Sequence, residues 1–168
     1  MDDEPRAIMA VADIIRSTTP SALTSLRQLG IEPIMVTGDN TAAAMSIAQE
    51  LGIETFYAES RPEDKVQIVT ELQRSGRVVA VIGDGVNDAA ALAAANLGIA
   101  MGSGTDAAIE AADITLLRED LNAASDAVRL SRATLRTIKQ NLAWAFGYNI
   151  AAIPLAALGL LTPLIAGL

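Results

Sequence analysis

The segment Gly83-Asp84-Gly85-Val86-Asn87-Asp88 gathers two carboxylates and a carboxamide directly behind the apolar run Val78-Val79-Ala80-Val81-Ile82. Hard oxygen donors of this kind suit Mg²⁺, which takes one or two protein carboxylates and completes its shell with water and phosphate. Gly83 and Gly85 allow a sharp turn and let a ligand's oxygens approach the backbone. The same residues also make an ordinary Asp-Gly turn with Asp88 as a helix N-cap, and residue types alone leave both readings open.

Three further places carry polar groups. Thr37-Gly38-Asp39-Asn40 follows Ile34-Met35-Val36; the Thr37 hydroxyl can donate to a phosphoryl oxygen with Gly38 clearing space beside it, or the four residues can serve turn and capping chemistry. Lys65 lies near the start of a helix, either as a solvated surface residue or as a fixed positive charge for an anion beside the Mg²⁺ site. Ser103-Gly104-Thr105-Asp106 reads as a connection with Asp106 capping a short helix, in preference to a second anion-facing loop.

Composition narrows the chemistry. The 168 residues include no Cys and no His, which excludes disulfides, thiolate metal sites, the commonest zinc ligand and hydrolysis of the Ser-His type. Catalysis here runs on carboxylates, Lys, Thr and Asn. A net charge of −8 argues against nucleic acid as a partner, and a hydrophobic content of 51% excludes a disordered acidic tail.

Such groups need elements to hold them. Short apolar, β-branched runs at Ile8–Ala12, Ile34–Thr37, Thr55–Ala58, Val78–Ile82, Leu97–Met101 and Ile114–Leu117 alternate with helical patterns. Strands alternating with helices predict βαβ units in a parallel sheet covered by helices on both faces, with reactive groups in the loops beyond the strands' carboxyl ends. Thr19 before Pro20 marks one helix start. Ser60 with Pro62 and Glu63 gives a capping-box pattern at another, whose Val66, Val69 and Leu72 share a face. Residues 1–128 are expected to form one layered domain.

All 20 acidic residues lie before Arg129, whereas Arg129, Arg132, Arg136 and Lys139 follow at helical spacing, and Gln140 to Leu168 carries no charge. A basic helix over 129–142 leading into a transmembrane segment over 143–168 is therefore expected, with the basic side cytoplasmic. A buried core helix is the alternative. Pro154 is expected to kink this segment, and Thr162-Pro163 can end it.

These motifs, in this order, resemble the C-terminal half of a P-type ATPase of the heavy-metal, copper-transporting class. The resemblance rests on Met35 to Asn40, Arg61-Pro62-Glu63-Asp64-Lys65, Gly83 to Asp88, Gly98-Ile99-Ala100-Met101-Gly102, Gly104-Thr105-Asp106 and Glu110-Ala111-Ala112-Asp113. It implies a haloacid-dehalogenase-like fold. Asp84 is then the direct Mg²⁺ ligand, with Asn87 and Asp88 holding the metal's surroundings and the loop, while Thr37 and Lys65 contact the phosphoryl group. Gly38 and Asp39 face the nucleotide from the hinge side. Tyr148 and Asn149 resemble the family's contributors to a transported-ion site, with Cu⁺ as the implied cargo; anchoring and interhelical bonding are their plainer roles.

In that family the nucleophile is the aspartate of an Asp-Lys-Thr-Gly-Thr motif. The motif is absent from this sequence, as are the nucleotide-binding and actuator domains, so the chain alone is expected to be inactive. ATP acts through the missing domains. The expected partners are membrane lipid, the metal cation and the rest of the pump; the expected location is the plasma membrane, with residues 1–139 cytoplasmic. The competing expectations are a soluble phosphatase of the haloacid-dehalogenase class and a non-catalytic, membrane-anchored partner of a full-length pump.

Overall fold

Short helices with well-defined ends separate the strands in this chain. In the computed structural model, which describes residues 15–118 and 120–159, the order is α1 (Thr19–Gln28), β1 (Ile34–Val36), α2 (Thr41–Leu51), β2 (Thr55–Tyr57), α3 (Pro62–Arg74) and β3 (Ala80–Gly83). A 3₁₀ turn (Val86–Asp88) leads into α4 (Ala89–Ala94), followed by β4 (Leu97–Met101), α5 (Asp106–Ala111), β5 (Ile114–Leu116) and the long α6 (Asn122–Ala157). The expected strand at Ile8–Ala12 lies outside the described residues. The chain divides into two compact units, Met1–Ser125 and Asp126–Leu168.

Local chemistry explains the helix ends. Asn40 caps α2 by accepting from the Ala43 N–H at 3.0 Å, and Gly52 closes it in the left-handed conformation at φ 61°. Helix α3 starts with Pro62 at its first position, Glu63 and Asp64 near its positive end and Arg74 near its negative end. The capping residue differs from expectation. The Asp64 carboxylate accepts from the Arg61 N–H at 2.8 Å, whereas the Ser60 hydroxyl donates to the Ala58 carbonyl at 3.3 Å. Ser60 thus lies one residue too early to cap α3.

Every strand pair among the described residues is parallel, as the alternating pattern predicts. Among the described residues they form two ladders, β1-β2 and β3-β4-β5. Met35 lies opposite Phe56; Ile82 opposes Ile99, which opposes Ile114 on its other side. Among the described strands only β4 is nearly buried throughout, and it alone among them has neighbours on both edges. The run Val78–Ile82 had the apolar continuity of such a covered strand, yet β3 begins at Ala80 and Val78 is 88% exposed. The Asn96 side chain captures the Val79 N–H at 2.9 Å and thereby ends the ladder.

Ile99, Met101, Leu116 and Ala124 form the core beneath this ladder. Leu92 and Ala91 seal α4 onto it, and a Cβ at Gly98 would lie 2.7 Å from the Leu92 carbonyl oxygen. That contact explains why glycine stands in the middle of a buried strand. Asp113 fixes the start of β5: its N–H donates to the Gly98 carbonyl at 2.9 Å and its carboxylate accepts from the Gly98 N–H at 2.8 Å.

The first turn of α6 packs in the first unit through Ala124 and Ser125. Asp120 anchors it by accepting from the Asn122 N–H at 2.9 Å. That bond holds the Asp120 carboxyl below the ordinary carboxylate range. Farther on, α6 continues through Pro154 to Ala157, so this proline does not end the helix. No described helix is long and apolar enough to cross a membrane. Asn141, Tyr148, Asn149 and Pro154 dilute the apolar half of α6, and residues 160–168 of the expected 143–168 segment lie outside the described residues.

Replacing Leu92 by Ala removes the largest fully buried hydrocarbon side chain among the described residues, and its expected cost is about 2–5 kcal/mol. Urea unfolding followed by circular dichroism measures it. Because the folded pKa of Asp120 is lowered, its contribution is complete above the ordinary value of 3.8 and is lost as pH falls through the folded value. Hydrogen exchange at the Asn122 amide is expected to accelerate at acid pH, and Asp120→Asn should lack that acid step.

Candidate active site

The end of β3 and the turn after it are built around an absent side chain. A Cβ on Gly83 would lie 2.6 Å from the Asp88 Cβ, so glycine alone lets Asp88 fold back against the strand end. There one Asp88 oxygen meets the Lys65 Nζ at 2.6 Å and the other accepts from the Gly85 N–H at 3.3 Å. Both side chains of the pair are 19% exposed. Charge-assisted hydrogen bonds of this length are the strong ones, and partial burial limits their screening. Asp88 therefore does not act as the simple helix cap that its position allowed; α4 has no side-chain cap. Lys65 is not a solvated surface residue, because α3 carries it to the 3₁₀ turn.

Asp84, between Gly83 and Gly85 in the chain, is exposed. Its backbone is held from a third direction, since the Thr105 N–H donates to the Asp84 carbonyl at 2.9 Å. Gly104 makes that approach possible: a Cβ there would lie 2.9 Å from the Asp84 carbonyl oxygen and 2.8 Å from that of Met101. Ser103–Asp106 is consequently more than a connection. Its helix cap is Thr105, accepting from the Ala108 N–H at 3.4 Å, and Asp106 is the first residue of α5.

Thr37 leaves β1 with its N–H still paired to the Tyr57 carbonyl at 2.9 Å. Its hydroxyl donates to an Asp39 carboxylate oxygen at 2.8 Å and accepts from the Asp39 N–H at 3.1 Å. Gly38 is exposed between them, while Asn40 supplies the capping chemistry. Capping thus falls to Asn40, while the Thr37 hydroxyl is engaged with Asp39. The segment before α3 grips this loop, with the Ser60 N–H on the Thr37 carbonyl at 2.9 Å and the Glu59 N–H on the Asp39 carbonyl at 2.8 Å.

Glu59 is the residue that sequence reasoning missed. It sits at φ 53° without being glycine, and one of its carboxylate oxygens accepts from both the Thr41 N–H (3.2 Å) and the Thr41 hydroxyl (3.0 Å). Left-handed backbone at such a residue is strained and persists where surrounding bonds over-determine it. No residue type or spacing announces it.

The structure therefore brings Lys65 and Asp88 into contact beside Asp84 and ties Thr37 to the same constellation through residues 59–61. Asn87 is exposed on the 3₁₀ turn. Among the described residues no group of three or more acidic side chains gathers to hold a metal by itself, and no cation pairs with Asp84. An exposed carboxylate on a braced loop with oxygen donors at Asn87 and Asp88 fits Mg²⁺, which needs few protein ligands. Tyr148 and Asn149 occupy successive exposed positions on α6 in the other unit.

A haloacid dehalogenase-like hydrolase family model matches residues 1–96, and a second model of that description matches residues 66–128. Among curated proteins, the chain is 53% identical over 99% of its length to the copper-exporting P-type ATPase of Bacillus subtilis. It is 54% identical, again over 99%, to the probable copper-exporting P-type ATPase V of Mycobacterium tuberculosis. It spans about a fifth of each, covering 21% and 22% of their lengths. A zinc-transporting PIB-type ATPase in its E2.Pi state is 42% identical in sequence and superposes with a TM-score of 0.83, covering 89% of this chain and 24% of that one. With a family model over more than half its length and these parallel βα units, the chain belongs to the haloacid dehalogenase-like family.

Proposed function

We propose that this chain supplies the Mg²⁺-binding and phosphoryl-contacting half of the aspartyl-phosphate site in an ATP-driven heavy-metal transporter. The observation that carries the reading is the Lys65–Asp88 contact at 2.6 Å beside an Asp84 held by Thr105. In this reading Asp84 binds Mg²⁺, with Asp88 and Asn87 maintaining the turn around it. Mg²⁺ neutralises phosphate charge when bound. Lys65 keeps its ammonium fixed through Asp88 and presents positive charge to the equatorial phosphoryl oxygens without reorganising. Thr37 turns its hydroxyl from Asp39 to the phosphoryl group, a small movement because the backbone on both sides is tethered. Gly38 and Asp39 line the nucleotide side.

The nucleophilic aspartate of this reading lies outside the 168 residues, since no Asp-Lys-Thr-Gly-Thr occurs in them. ATP is the phosphoryl donor. Relatives named as copper exporters favour Cu⁺ as cargo, and Tyr148 and Asn149 are the residues on this chain that face it. Residues 1–128 form the phosphorylation unit, 129–142 the basic approach and 143–168 the span. The uncharged sequence from Gln140 to Leu168 supports a plasma-membrane location with residues 1–139 on the cytoplasmic side.

Joining the chain to a segment that supplies the Asp-Lys-Thr-Gly-Thr nucleophile and a nucleotide-binding domain is expected to give an acid-stable, Mg²⁺-dependent phosphoenzyme from labelled ATP. Asp84→Ala or Lys65→Ala should lower the labelling rate by about a hundredfold or more. Labelling that persists in Asp84→Ala would falsify the assignment.

A second expectation separates the ion pair from its neighbours. In unfolding measurements, Lys65→Ala and Asp88→Ala should be strongly non-additive, with a coupling of about 1–3 kcal/mol. Gly104→Ala, which crowds the Asp84 backbone, is expected to weaken Mg²⁺ binding about tenfold or more, since small displacements at such sites are costly. Calorimetric titration reads this directly.

A further inference from the structure

We propose that the basic row of α6 docks on the headgroups of anionic phospholipids, so that the chain prefers acidic to neutral membrane. The inference rests on the membrane reading above and adds the lipid class. Within the unit Asp126–Leu168, Arg129, Arg132, Arg136 and Lys139 recur at intervals of three and four and therefore share one side of the helix. Leu135, Ile138 and Leu142 form a neighbouring row and are 51%, 54% and 53% exposed. A shallow surface groove joins the two rows, lined by Arg132, Leu135, Arg136, Lys139, Gln140 and Ala143.

Three features select a lipid surface over an acidic protein. The apolar row beside the charges gains nothing from an acidic partner, but it fits the boundary between headgroups and acyl chains. Trp144, 79% exposed, lies five residues beyond Lys139, about 7.5 Å along the axis, where an indole ring suits the same boundary. No acidic residue follows Asp126, and the Asp126 contact with Arg129, at 3.9 Å, involves the end of the basic row farthest from Trp144. Arg136 and Lys139, nearest Trp144, are the residues expected to meet phosphate. Long basic side chains of this kind lay their hydrocarbon stems on apolar surface and extend their charges to the headgroups.

The test is flotation of the full 168-residue chain with extruded vesicles of phosphatidylcholine alone, or containing about a third phosphatidylglycerol. At about 0.1 M salt, binding to the phosphatidylglycerol vesicles is expected to be about tenfold tighter or more, and raising salt to about 0.5 M should remove the difference. The double variant Arg136→Gln, Lys139→Gln should bring phosphatidylglycerol binding down to the phosphatidylcholine level, whereas Arg136→Lys with Lys139→Arg keeps the preference. Equal binding of the unaltered chain to both vesicles, the result an acidic protein partner would give, overturns the inference while sparing the membrane reading. A preference that survives the Gln variant also overturns it. Binding to neither vesicle overturns both.

Discussion

Two βα units must hold one reactive loop, and the ammonium of Lys65 against the carboxylate of Asp88 is where they meet. The pair joins α3 to the turn beyond β3, and it exists only because Gly83 has no side chain where Asp88 folds back. Each partner is mostly withdrawn from solvent, so removing either leaves a charge that water can only partly compensate. Opposite charges in contact also solve a chemical problem. Under the proposed reading, a lysine beside a metal-binding carboxylate would otherwise be free to pair with Asp84 itself and occupy the metal's place. With its ammonium committed to Asp88, Lys65 leaves the Asp84 carboxylate open while keeping positive charge nearby.

Backbone contacts provide the rest of the precision. Thr105 grips Asp84 through its carbonyl, and residues 59 and 60 grip Thr37 and Asp39 in the same manner. Main-chain tethers leave side chains free to meet a ligand, which suits the phosphoryl-contacting role proposed for them. The strained backbone of Glu59 belongs to this arrangement. Its N–H reaches Asp39 while its carboxylate reaches Thr41, so one residue spans the loop from both sides. A relaxed conformation there would have to give up one of those bonds.

Much of this was legible in the residues. The alternation of β-branched runs with helical segments correctly gave parallel strands, because that pattern reports burial directly. Leu97–Met101 appeared with its expected bounds, whereas Val78–Ile82 lost its first two residues to a side-chain amide, since hydrophobicity carries no information about which hydrogen bond a backbone N–H will find. Lys65 and Asp88, singled out by type and order, meet in the structure. The capping assignments at Ser60 and Asp106 missed by one residue. Several adjacent polar groups could satisfy each helix end, and tertiary contacts decided among them: the Ser60 N–H went to Thr37, and the Thr105 hydroxyl was already placed by that residue's own N–H bond to the Asp84 carbonyl. Glu59 was invisible because its role lies in a backbone angle and not in a residue pattern.

The same reasoning shows why the two ends of α6 must be read differently. At Asn122–Ser125 the helix is defined by packing and by the Asp120 carboxylate, and its side chains disappear into the core. Beyond Asp126 its regularity comes from helix-favouring residues and internal hydrogen bonds, with Leu, Ile and Trp side chains left exposed. Exposed apolar residues at scattered positions are ordinary, but a row of them flanked by a row of Arg and Lys is an arrangement that water alone does not favour. A surface apolar in its depth and negatively charged at its face, as proposed for this helix, satisfies both rows at once.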